Sequence, residues 1–598
     1  MRRFSLLLSL ALCIAAVPGS SRAQEWTPRP ATYGSYLERD VRITMSDGAR
    51  LSADVYHPAD LDTGNPAAGL FPVLLTQTPY NKNGLNWLAP YLVTRGYIQV
   101  VTEVRGTGSS EGTWEGMGAR EQLDSKELVE WAASQPWSNG RVGLHGRSYG
   151  AVNQFFTAAQ HPKGLKALFP VAPMADWYRD FAYTGGEQNT SFHPAWLAAV
   201  TALGLAPGTY ATSDPAGAGS TMLQHAGGAL SFQASSFARG PAGNDTISYD
   251  GPFYRQRSPI EFVDRVDVPT FVVGGWFDLF QRGEPMLYDA LQARGVPARL
   301  LMGPWYHLDA TSGTGLPADD VPTLDELELR WMDRYVREDA DPDLDADVAP
   351  ITYYRLGDGH YHTSAQWPPD GVRFEQRFLG GAAVAGVQHG TLQMQAPETS
   401  DPDTLIWQPA SGPCSRSISQ WSGGGLRQSC EEDNRANTLG GLTYDLPLDQ
   451  NTTIAGPLAA RLFVSTNDRD AFVTARVEDV APDGKATQLT AGWSILSMRA
   501  MDSTKTRTAD GLIVQPYHPF TKESVLPVAA GEVNELWVEI FPTAALLRQG
   551  HSLRLSLQPS DAPHLSPSVP LAANMVGSVL SLHHDTAFPS SLVIPFQR

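Results

Sequence analysis

Hydrophobic and polar positions follow two different periods in the first half of the chain. Alternating apolar residues on either side of Asp47-Gly48 predict a β-hairpin over 41–55. Uniformly apolar runs predict buried strands at 72–76, 98–102, 142–144 and 167–171. Between them, helical spacing of apolar residues predicts helices at 86–95 and 121–134. Strands that alternate with helices indicate a mostly parallel sheet with both faces covered.

The strand pattern stops after residue 171 and resumes at Thr270, an interval far longer than an ordinary crossover. This interval contains a helical run, Pro194 to Leu205, and the aromatic pair Trp177-Tyr178. It predicts a helical cap over 176–267 that is inserted between two parts of one α/β domain, residues 24–175 and 268–338. A capping box formed by Thr323 and Glu326 predicts the start of the closing helix.

The C-terminal part has a different pattern, with short alternating strands separated by Gly, Pro and Asn turns. In Leu553–Leu557 the leucines alternate with Arg554 and Ser556. No helical stretch dominates this part. We therefore predict a linker at 339–350 and a β-sandwich over 351–598.

Gly146-Arg147-Ser148-Tyr149-Gly150 lies between a short apolar strand and a helical run. A serine on such a tight turn presents its hydroxyl at the edge of the sheet, and the flanking glycines avoid a clash at the turn. Ser148 is therefore the predicted nucleophile. His145 lies within the preceding strand, and we expect its side chain to pack in the sheet.

An acid and a base follow later in the chain, each directly after a buried strand. Asp278 follows the run at 270–274, and His307 follows the run at 299–302. Considered without the others, Asp278 is better interpreted as a turn residue and His307 as a loop residue. Because the carboxyl ends of parallel strands meet at one sheet edge, their order predicts a Ser148–His307–Asp278 triad for acyl transfer, which needs no cofactor or metal.

Three motifs carry a family resemblance: GRSYG at 146–150, GGWFD at 274–278 and GPWYH at 303–307. They resemble the cocaine-esterase-like serine hydrolases, which are related to X-prolyl dipeptidyl-peptidases, α-amino-acid ester hydrolases and some cephalosporin acylases. Segments 78–82, 105–112 and 136–143 also look like this family. The resemblance extends from about Val41 to near the C-terminus, and it implies an α/β-hydrolase domain, a helical cap and a C-terminal jelly-roll.

Two groups are expected to stabilise the oxyanion. The backbone N–H of Tyr149 follows from the geometry of the turn. The second donor, the hydroxyl of Tyr80, is implied by the family resemblance. Without that resemblance, Tyr80 is equally well interpreted as a packed aromatic. Arg105 and Glu111 are expected to order their own loop.

The residues after Asp278 bear on the substrate. In the α-amino-acid ester hydrolases a Glu-Asp pair stands where this chain has Phe280 and Gln281, and that pair helps to hold the substrate ammonium. Because Phe280 and Gln281 replace this acidic pair, the sequence counts against a substrate that is held by its amine. Phe280 instead resembles an aromatic of the cocaine-esterase-like acyl pocket, although a packed core aromatic is the alternative. Trp177 is a further candidate for the pocket.

The leading hypothesis is hydrolysis of a small carboxylic ester. An amidase, an acylase or an X-prolyl dipeptidyl-peptidase could use the same triad, so these alternatives stay open. A protein that only binds ligands, with a vestigial triad, is the alternative from another class. The oligomeric state is also open, and a homo-oligomer is compatible with the sequence.

The net charge bears on the partners of the protein, and the N-terminal sequence bears on its location. The formal net charge of −19 argues against nucleic acid or an anionic membrane as a partner. Arg2 and Arg3 precede an apolar run at 4–17, and Ser21-Arg22-Ala23 offers small residues for cleavage. We therefore predict a signal peptide at 1–23 and a periplasmic or secreted enzyme. No other run is long enough and apolar enough to span a membrane.

Cys414 and Cys430 are the two cysteines that remain after this cleavage. A cysteine pair in an exported chain usually forms a disulfide, which would close the polar loop between them. A metal site lacks partners, because no carboxylate or cysteine motif accompanies the histidine pair His360 and His362.

Overall fold

The structure is a computed structural model that describes residues 26–84, 87–206, 209–312, 315–317, 319–339, 343–408 and 415–598. The predicted signal peptide and Cys414 lie outside these residues. The signal peptide and the Cys414–Cys430 disulfide therefore stay predictions. Among the helices that are described, none has the length and apolar character needed to cross a membrane.

The first part of the chain builds one side of a mixed sheet. Its elements are β1 (Gly34–Thr44), β2 (Arg50–Ala59), β3 (Phe71–Thr78), α1 (Pro90–Val93), β4 (Ile98–Glu103), α2 (Ala119–Ser134), β5 (Ser138–Arg147), α3 (Tyr149–Ala158) and β6 (Leu165–Val171). β1 and β2 form the predicted antiparallel hairpin, β2 pairs antiparallel with β4, and β3 to β6 pair in parallel with one another. α1 is shorter than the helix predicted over 86–95, because Pro90 has no N–H and is tolerated only in the first turn.

The chain then leaves the sheet for the insertion that the sequence predicts as a cap. A π-helical turn at Trp177–Ala182 opens it. The elements that follow are β7 (Tyr183–Thr184), β8 (Glu187–Asn189), α4 (Phe192–Leu205), α5 (Pro215–Gly228), α6 (Ala234–Arg239), α7 (Asp245–Ser248) and α8 (Pro252–Arg255). The cap is therefore mainly helical, and it contributes many aromatic side chains to a core cluster that also contains Phe156 of α3 and Phe280.

The return to the sheet supplies the strands that carry the acid and the base. These elements are β9 (Thr270–Phe277), α9 (Gly283–Ala293), β10 (Ala298–Tyr306), α10 (His307–Ser312), α11 (Leu324–Met332) and α12 (Leu344–Asp347). Two more strands follow, β11 (Ile351–Arg355) and β12 (His360–Ser364). The sheet order is β1-β2-β4-β3-β5-β6-β9-β10-β11-β12.

The position of β11 differs from the predicted start of the β-sandwich at residue 351. β11 pairs in parallel with β10, with Ile351 opposite Leu300, and β12 then pairs antiparallel with β11. The chain therefore leaves the first sheet after Ser364. Short strands of this kind suit either sheet, so only the pairing partner decides which one they join.

The remaining strands form an all-β domain. They are β13 (Val372–Gly380), β14 (Gly390–Gln393), β15 (Asp403–Ile406), β16 (Leu442–Pro447), β17 (Thr452–Thr466), β18 (Phe472–Val480), β19 (Ala486–Ile495), β20 (Arg507–Ala509), β21 (Leu512–Gln515), β22 (Asn534–Leu547), β23 (Ser552–Gln558), β24 (Leu565–Ser566), β25 (Val579–His583) and β26 (Ser591–Gln597). Short helices α13 (Arg416–Trp421), α14 (Arg435–Thr438) and α15 (Val569–Ala572) interrupt them.

β26 pairs with both β13 and β17, so the eleven-stranded sheet of this domain closes on itself. Alternate residues of each strand face one apolar core that includes Leu458, Val538 and Leu555. The predicted combination of an α/β-hydrolase domain with a C-terminal all-β domain is confirmed.

Candidate active site

Ser148 lies on the tight turn between β5 and α3. Its backbone has φ 53° and ψ −119°, a conformation that costs energy for any residue with a Cβ. The N–H of Ser148 donates to the carbonyl of Val171, at 2.9 Å. A Cβ on Gly146 would lie 3.2 Å from the carbonyl oxygen of Gly150, so this turn needs its glycine. The turn leaves the side chain of Ser148 partly exposed, at the edge of the sheet where β9 and β10 also end.

The structure brings the three predicted residues together. Ser148 Oγ lies 2.8 Å from His307 Nε2, and His307 Nδ1 lies 2.9 Å from Asp278 Oδ2. Asp278 directly follows β9, and His307 follows β10, so the parallel strands deliver both side chains to the same edge. The other carboxylate oxygen of Asp278 accepts the backbone N–H of Phe280, at 2.8 Å. This geometry suits a nucleophile, a base and the group that orients the base.

Tyr80, which follows β3, lies beside the nucleophile, with its hydroxyl 3.4 Å from Ser148 Oγ. Trp196 donates its indole N–H to this hydroxyl at 3.1 Å. Because the oxygen of Tyr80 accepts this bond, its own proton is free to point at another partner. Burial raises the pKa of Tyr80, which keeps the hydroxyl protonated.

Trp196 was missed by the sequence analysis. It lies on α4 within the helical run that the sequence predicts for the cap, yet nothing in that run distinguishes it from a core aromatic. Its ring also stacks on Tyr149, with centroids 6.2 Å apart. The cap therefore supplies a residue that contacts the hydroxyl of Tyr80 and the ring of Tyr149.

The side chain of Tyr149 points away from the nucleophile into a buried polar cluster. Its hydroxyl donates to Glu121 Oε1 at 2.6 Å, and it accepts the indole N–H of Trp114 at 3.0 Å. The other oxygen of Glu121 accepts the N–H of Met117 at 3.0 Å. Burial raises the pKa of Glu121 to about 7. This cluster anchors the first turn of α3, which carries the Tyr149 N–H.

Aromatic side chains form the wall beside His307. The Phe280 ring lies 5.2 Å from the His307 ring, and Phe192 of α4 lies 5.8 Å from it. Phe181 contacts Phe280 at 6.2 Å. The structure thus brings Phe280 to the site as predicted, whereas Phe181 and Phe192 were missed. Trp177 contacts Phe181 at 5.6 Å, so it lies one ring further from the nucleophile.

Carboxylates near this wall are paired with arginines. Asp176 binds Arg179 at 2.7 Å, and Asp180 binds Arg282 at 3.0 Å; the side chains of all four residues are nearly inaccessible to solvent. Glu284 is also buried, and burial raises its pKa well above the usual range for a carboxyl group. Its Oε2 accepts the N–H of Gly275 at 3.1 Å. These groups therefore offer no free negative charge to a substrate.

The all-β domain closes one side of the site through α13 and the turn after it. Gln420 donates to the carbonyl oxygen of Asp278 at 2.9 Å and to the side chain of Gln281 at 3.0 Å. The carbonyl of Gly423 accepts the N–H of Leu308 at 2.9 Å. Gln281 in turn donates to the carbonyl of Pro542, at 2.7 Å. Gln281 therefore joins two domains rather than facing the substrate.

His145, Arg105 and Glu111 form hydrogen bonds or ion pairs away from the site. His145 is buried in β5, and its Nδ1 lies 2.8 Å from Glu328. Arg105 binds Asp124 at 2.5 Å. Glu111 binds Arg50 at 2.6 Å, which holds its loop against β2. None of these bonds reaches the nucleophile.

Comparison with known proteins places these features in a family. The family model for X-Pro dipeptidyl-peptidase (S15 family) matches residues 47–309. The model for the X-Pro dipeptidyl-peptidase C-terminal non-catalytic domain matches residues 346–593. The first range contains Ser148, Asp278 and His307, and the second covers most of the all-β domain.

Individual proteins resemble the chain over nearly its full length. Cocaine esterase of Rhodococcus sp. (strain MB1 Bresler) is 26% identical over 602 residues, which cover 94% of this chain and 99% of that protein. The crystal structure of a CocE/NonD family hydrolase from Staphylococcus aureus superposes with a TM-score of 0.69 at 18% identity, over 96% of this chain and 99% of that one. An α-amino acid ester hydrolase superposes with a TM-score of 0.71 at 19% identity, over 97% of this chain and 100% of that one.

At these identities the two solved structures show the fold alone, whereas the family models and the full-length relative show which enzymes the chain resembles. Together they confirm the predicted resemblance to the cocaine-esterase-like enzymes. The chain is a serine hydrolase that resembles the esterases and peptidases of the S15 family.

Proposed function

We propose that the protein is an exported serine hydrolase that cleaves carboxylic esters through an acyl-enzyme on Ser148. The observation that carries this proposal is the continuous hydrogen-bonded line from Ser148 Oγ through His307 to Asp278, with bond lengths of 2.8 and 2.9 Å. Tyr80 lies beside the nucleophile with a proton to donate. These groups meet the requirements for nucleophilic acyl transfer.

The reaction begins when His307 Nε2 takes the proton of Ser148 as Oγ attacks the ester carbonyl carbon. The carbonyl oxygen becomes an oxyanion, which accepts the Tyr80 hydroxyl and the Tyr149 N–H. His307 then gives its proton to the leaving alkoxide, which departs as the alcohol and leaves the acyl group on Ser148. Water, activated by the same histidine, attacks the acyl-enzyme and releases the acid. Asp278 holds the His307 tautomer and stabilises its positive form.

The charge distribution favours an ester over a substrate with a free amine. Asp176 and Asp180 are each bound to a buried arginine, and the neutral form of Glu284 is favoured by burial. A substrate ammonium needs an unpaired carboxylate, because a buried charge without a partner is costly. Phe280 instead presents an apolar ring to the site, which suits the acyl part of an ester.

Turnover of matched p-nitrophenyl esters and p-nitroanilides tests this proposal. We expect ester hydrolysis by the wild type, at least a thousandfold loss in Ser148→Ala and no cleavage of the anilides. Rapid cleavage of Ala-Pro p-nitroanilide would assign the protein to the peptidase branch instead. Ester turnover that survives in Ser148→Ala would refute the role of Ser148.

Export is proposed from the pattern of residues 1–23, which has a basic start, an apolar core and small residues at its end. N-terminal sequencing of the protein from the producing cell tests it. The mature chain is expected to begin at Gln24, and a chain that retains residues 1–23 would contradict export.

A further inference from the structure

The two strands that carry the acid and the base end against one segment of the all-β domain. This segment, residues 416–425, consists of α13 and the glycine turn after it, and we call it the clamp segment. Its helical part is buried, and the ring of Trp421 stacks on His564 with centroids 4.0 Å apart. His564 is itself buried, and its Nδ1 lies 3.0 Å from Asp561. The clamp segment is therefore fixed to the domain that carries it.

Two hydrogen bonds of the clamp segment reach the peptide groups that directly follow the acid and the base. Gln420 Nε2 donates to the carbonyl oxygen of Asp278 at 2.9 Å. The carbonyl oxygen of Gly423 accepts the N–H of Leu308, the residue after His307, at 2.9 Å. The N–H of Gly423 donates to the carbonyl of Gln420, also at 2.9 Å, so the two contacts belong to one hydrogen-bonded turn. This turn therefore bridges the two strand ends.

The sheet itself does not fix the spacing of these strand ends. The ladder between β9 and β10 becomes irregular between Gly303 and Tyr306, and its last pair is Phe277 with Tyr306. Asp278 and His307 each come one residue later, so both lie beyond the ladder. The clamp segment bonds to both strands at the point where their own pairing ends.

Glycines let the backbone of the clamp segment approach the base closely. Gly423 has φ 69°, a left-handed conformation that favours glycine. A Cβ added there would lie 3.4 Å from the Phe192 ring and 3.6 Å from the Cβ of His307. A Cβ on Gly424 would lie 2.7 Å from the Cβ of Tyr306, which is closer than two such carbons approach. The turn therefore packs directly against the end of β10.

We propose that Gln420 is a positioning residue of the hydrolase reaction, and that the clamp segment sets the separation of Asp278 and His307. The proposal rests on the proposed function through its triad, and it gives the all-β domain a part in turnover. Reacting groups must be held in a narrow range of geometry, and a misplacement of about 1 Å can lower a rate by about a hundredfold. Without the bridge, the acid and the base would depend on two unpaired strand ends for their spacing.

Gln420→Met tests the proposal, because it keeps the length of the side chain and removes the donated hydrogen bonds. With p-nitrophenyl acetate, kcat should fall by roughly tenfold to a hundredfold, whereas KM should stay within about threefold. A residue that only docks one domain on the other would lower stability and leave the kcat of the folded enzyme unchanged. A kcat for folded Gln420→Met within twofold of wild type would therefore overturn the proposal.

Gln558→Met is the matched control. Gln558 is also buried in the all-β domain, and its Nε2 donates to Ser556 Oγ at 3.2 Å. Its replacement removes a buried donor of the same kind away from the clamp segment, so kcat should stay within twofold of wild type. Thermal unfolding of both variants identifies the temperature range in which each is folded.

Gly423→Ala tests the other bond of the turn and keeps the proposal testable if Gln420→Met does not fold. The added methyl group meets a left-handed backbone and the Phe192 ring, which shifts the carbonyl that binds Leu308. We expect kcat to fall by roughly tenfold. Gly511→Ala adds the same methyl at φ 78° with open space around it, and should leave kcat within twofold. Equal kcat values for folded Gly423→Ala and wild type would contradict the role of the turn.

The rate at which a fluorophosphonate labels Ser148 separates this proposal from the ester hydrolase function. Labelling requires the same triad but no ester substrate. Slower labelling of Gln420→Met than of wild type supports the clamp segment even if the wild type hydrolyses no ester, a result that would refute the proposed function alone. Equal labelling rates would overturn the role of Gln420, and a wild type that is not labelled would overturn both proposals.

Discussion

Replacement of Tyr80 by phenylalanine tests the proposed oxyanion site with the smallest change available. The substitution removes one oxygen and keeps the ring. That oxygen lies 3.4 Å from Ser148 Oγ and accepts the indole N–H of Trp196 at 3.1 Å. Because the Trp196 N–H occupies one lone pair of this oxygen, the hydroxyl proton is directed away from Trp196 and is available to the oxyanion.

The expected loss follows from this geometry. One donor to an oxyanion in a water-poor site contributes about 2.7–4 kcal/mol to the transition state, or about 10²–10³ in kcat. The ester carbonyl carries little charge before attack, so KM should change by less than about threefold. The Trp196 N–H loses its acceptor, and we expect stability to fall by about 1–3 kcal/mol as well.

Steady-state hydrolysis of p-nitrophenyl acetate by wild type and Tyr80→Phe gives both constants. Tyr36→Phe, at a half-exposed position on β1, controls for the loss of any tyrosine hydroxyl. Thermal unfolding confirms that each variant is folded at the assay temperature. A kcat for Tyr80→Phe within twofold of wild type would refute the assigned role, because no other effect offsets a missing donor of this strength.

Three further predictions follow from contacts around the site. Trp196→Phe keeps an aromatic ring but removes the N–H that orients Tyr80, so kcat should fall by roughly tenfold, and a larger fall than in Tyr80→Phe would contradict this role. Lys82→Met removes the cation that the partly exposed Asp40 and the buried Asp54 bind at 2.6 and 2.9 Å; urea unfolding should show a loss of about 3–5 kcal/mol, and a loss below about 1 kcal/mol would refute the pairing. The pKa of Glu121 is about 7 in the fold against 4.5 in the unfolded chain. The contribution of Glu121 to the free energy of unfolding is therefore largest at acidic pH, and it is lost as the pH rises through 7. Glu121→Gln should therefore reduce the decline in unfolding free energy between pH 5 and 8 by roughly 3 kcal/mol, and an unchanged decline would show that Glu121 is ionised in the fold.

Most of the local structure around the nucleophile is predictable from short stretches of sequence. The strand, the glycines and the helix around Ser148 specify the turn because each is a local preference of the backbone. The capping box at Thr323 forms as predicted, since its partners are three residues apart. Asp278 and His307 each directly follow a parallel strand. Because the carboxyl ends of parallel strands meet at one sheet edge, these positions place both residues at that edge.

Contacts between distant segments were not predictable in this way. Trp196 reaches Tyr80 across 116 positions of the chain, and Gln420 reaches Asp278 across 142. Neither residue has a pattern that separates it from an ordinary packed or surface side chain. β11 likewise joins the first sheet rather than the second, because its alternating residues suit both and only the vacant edge of β10 decides the pairing.

The sequence by itself therefore determined the family resemblance, the two fold classes and the candidate triad, since these depend on periodicity and on motifs a few residues long. Only the tertiary structure decided which cap residue contacts the hydroxyl of Tyr80 and which turn of the all-β domain closes the site. The physical reason is that burial and hydrogen bonding of a side chain depend on neighbours brought together by packing, and a single sequence does not encode those neighbours locally.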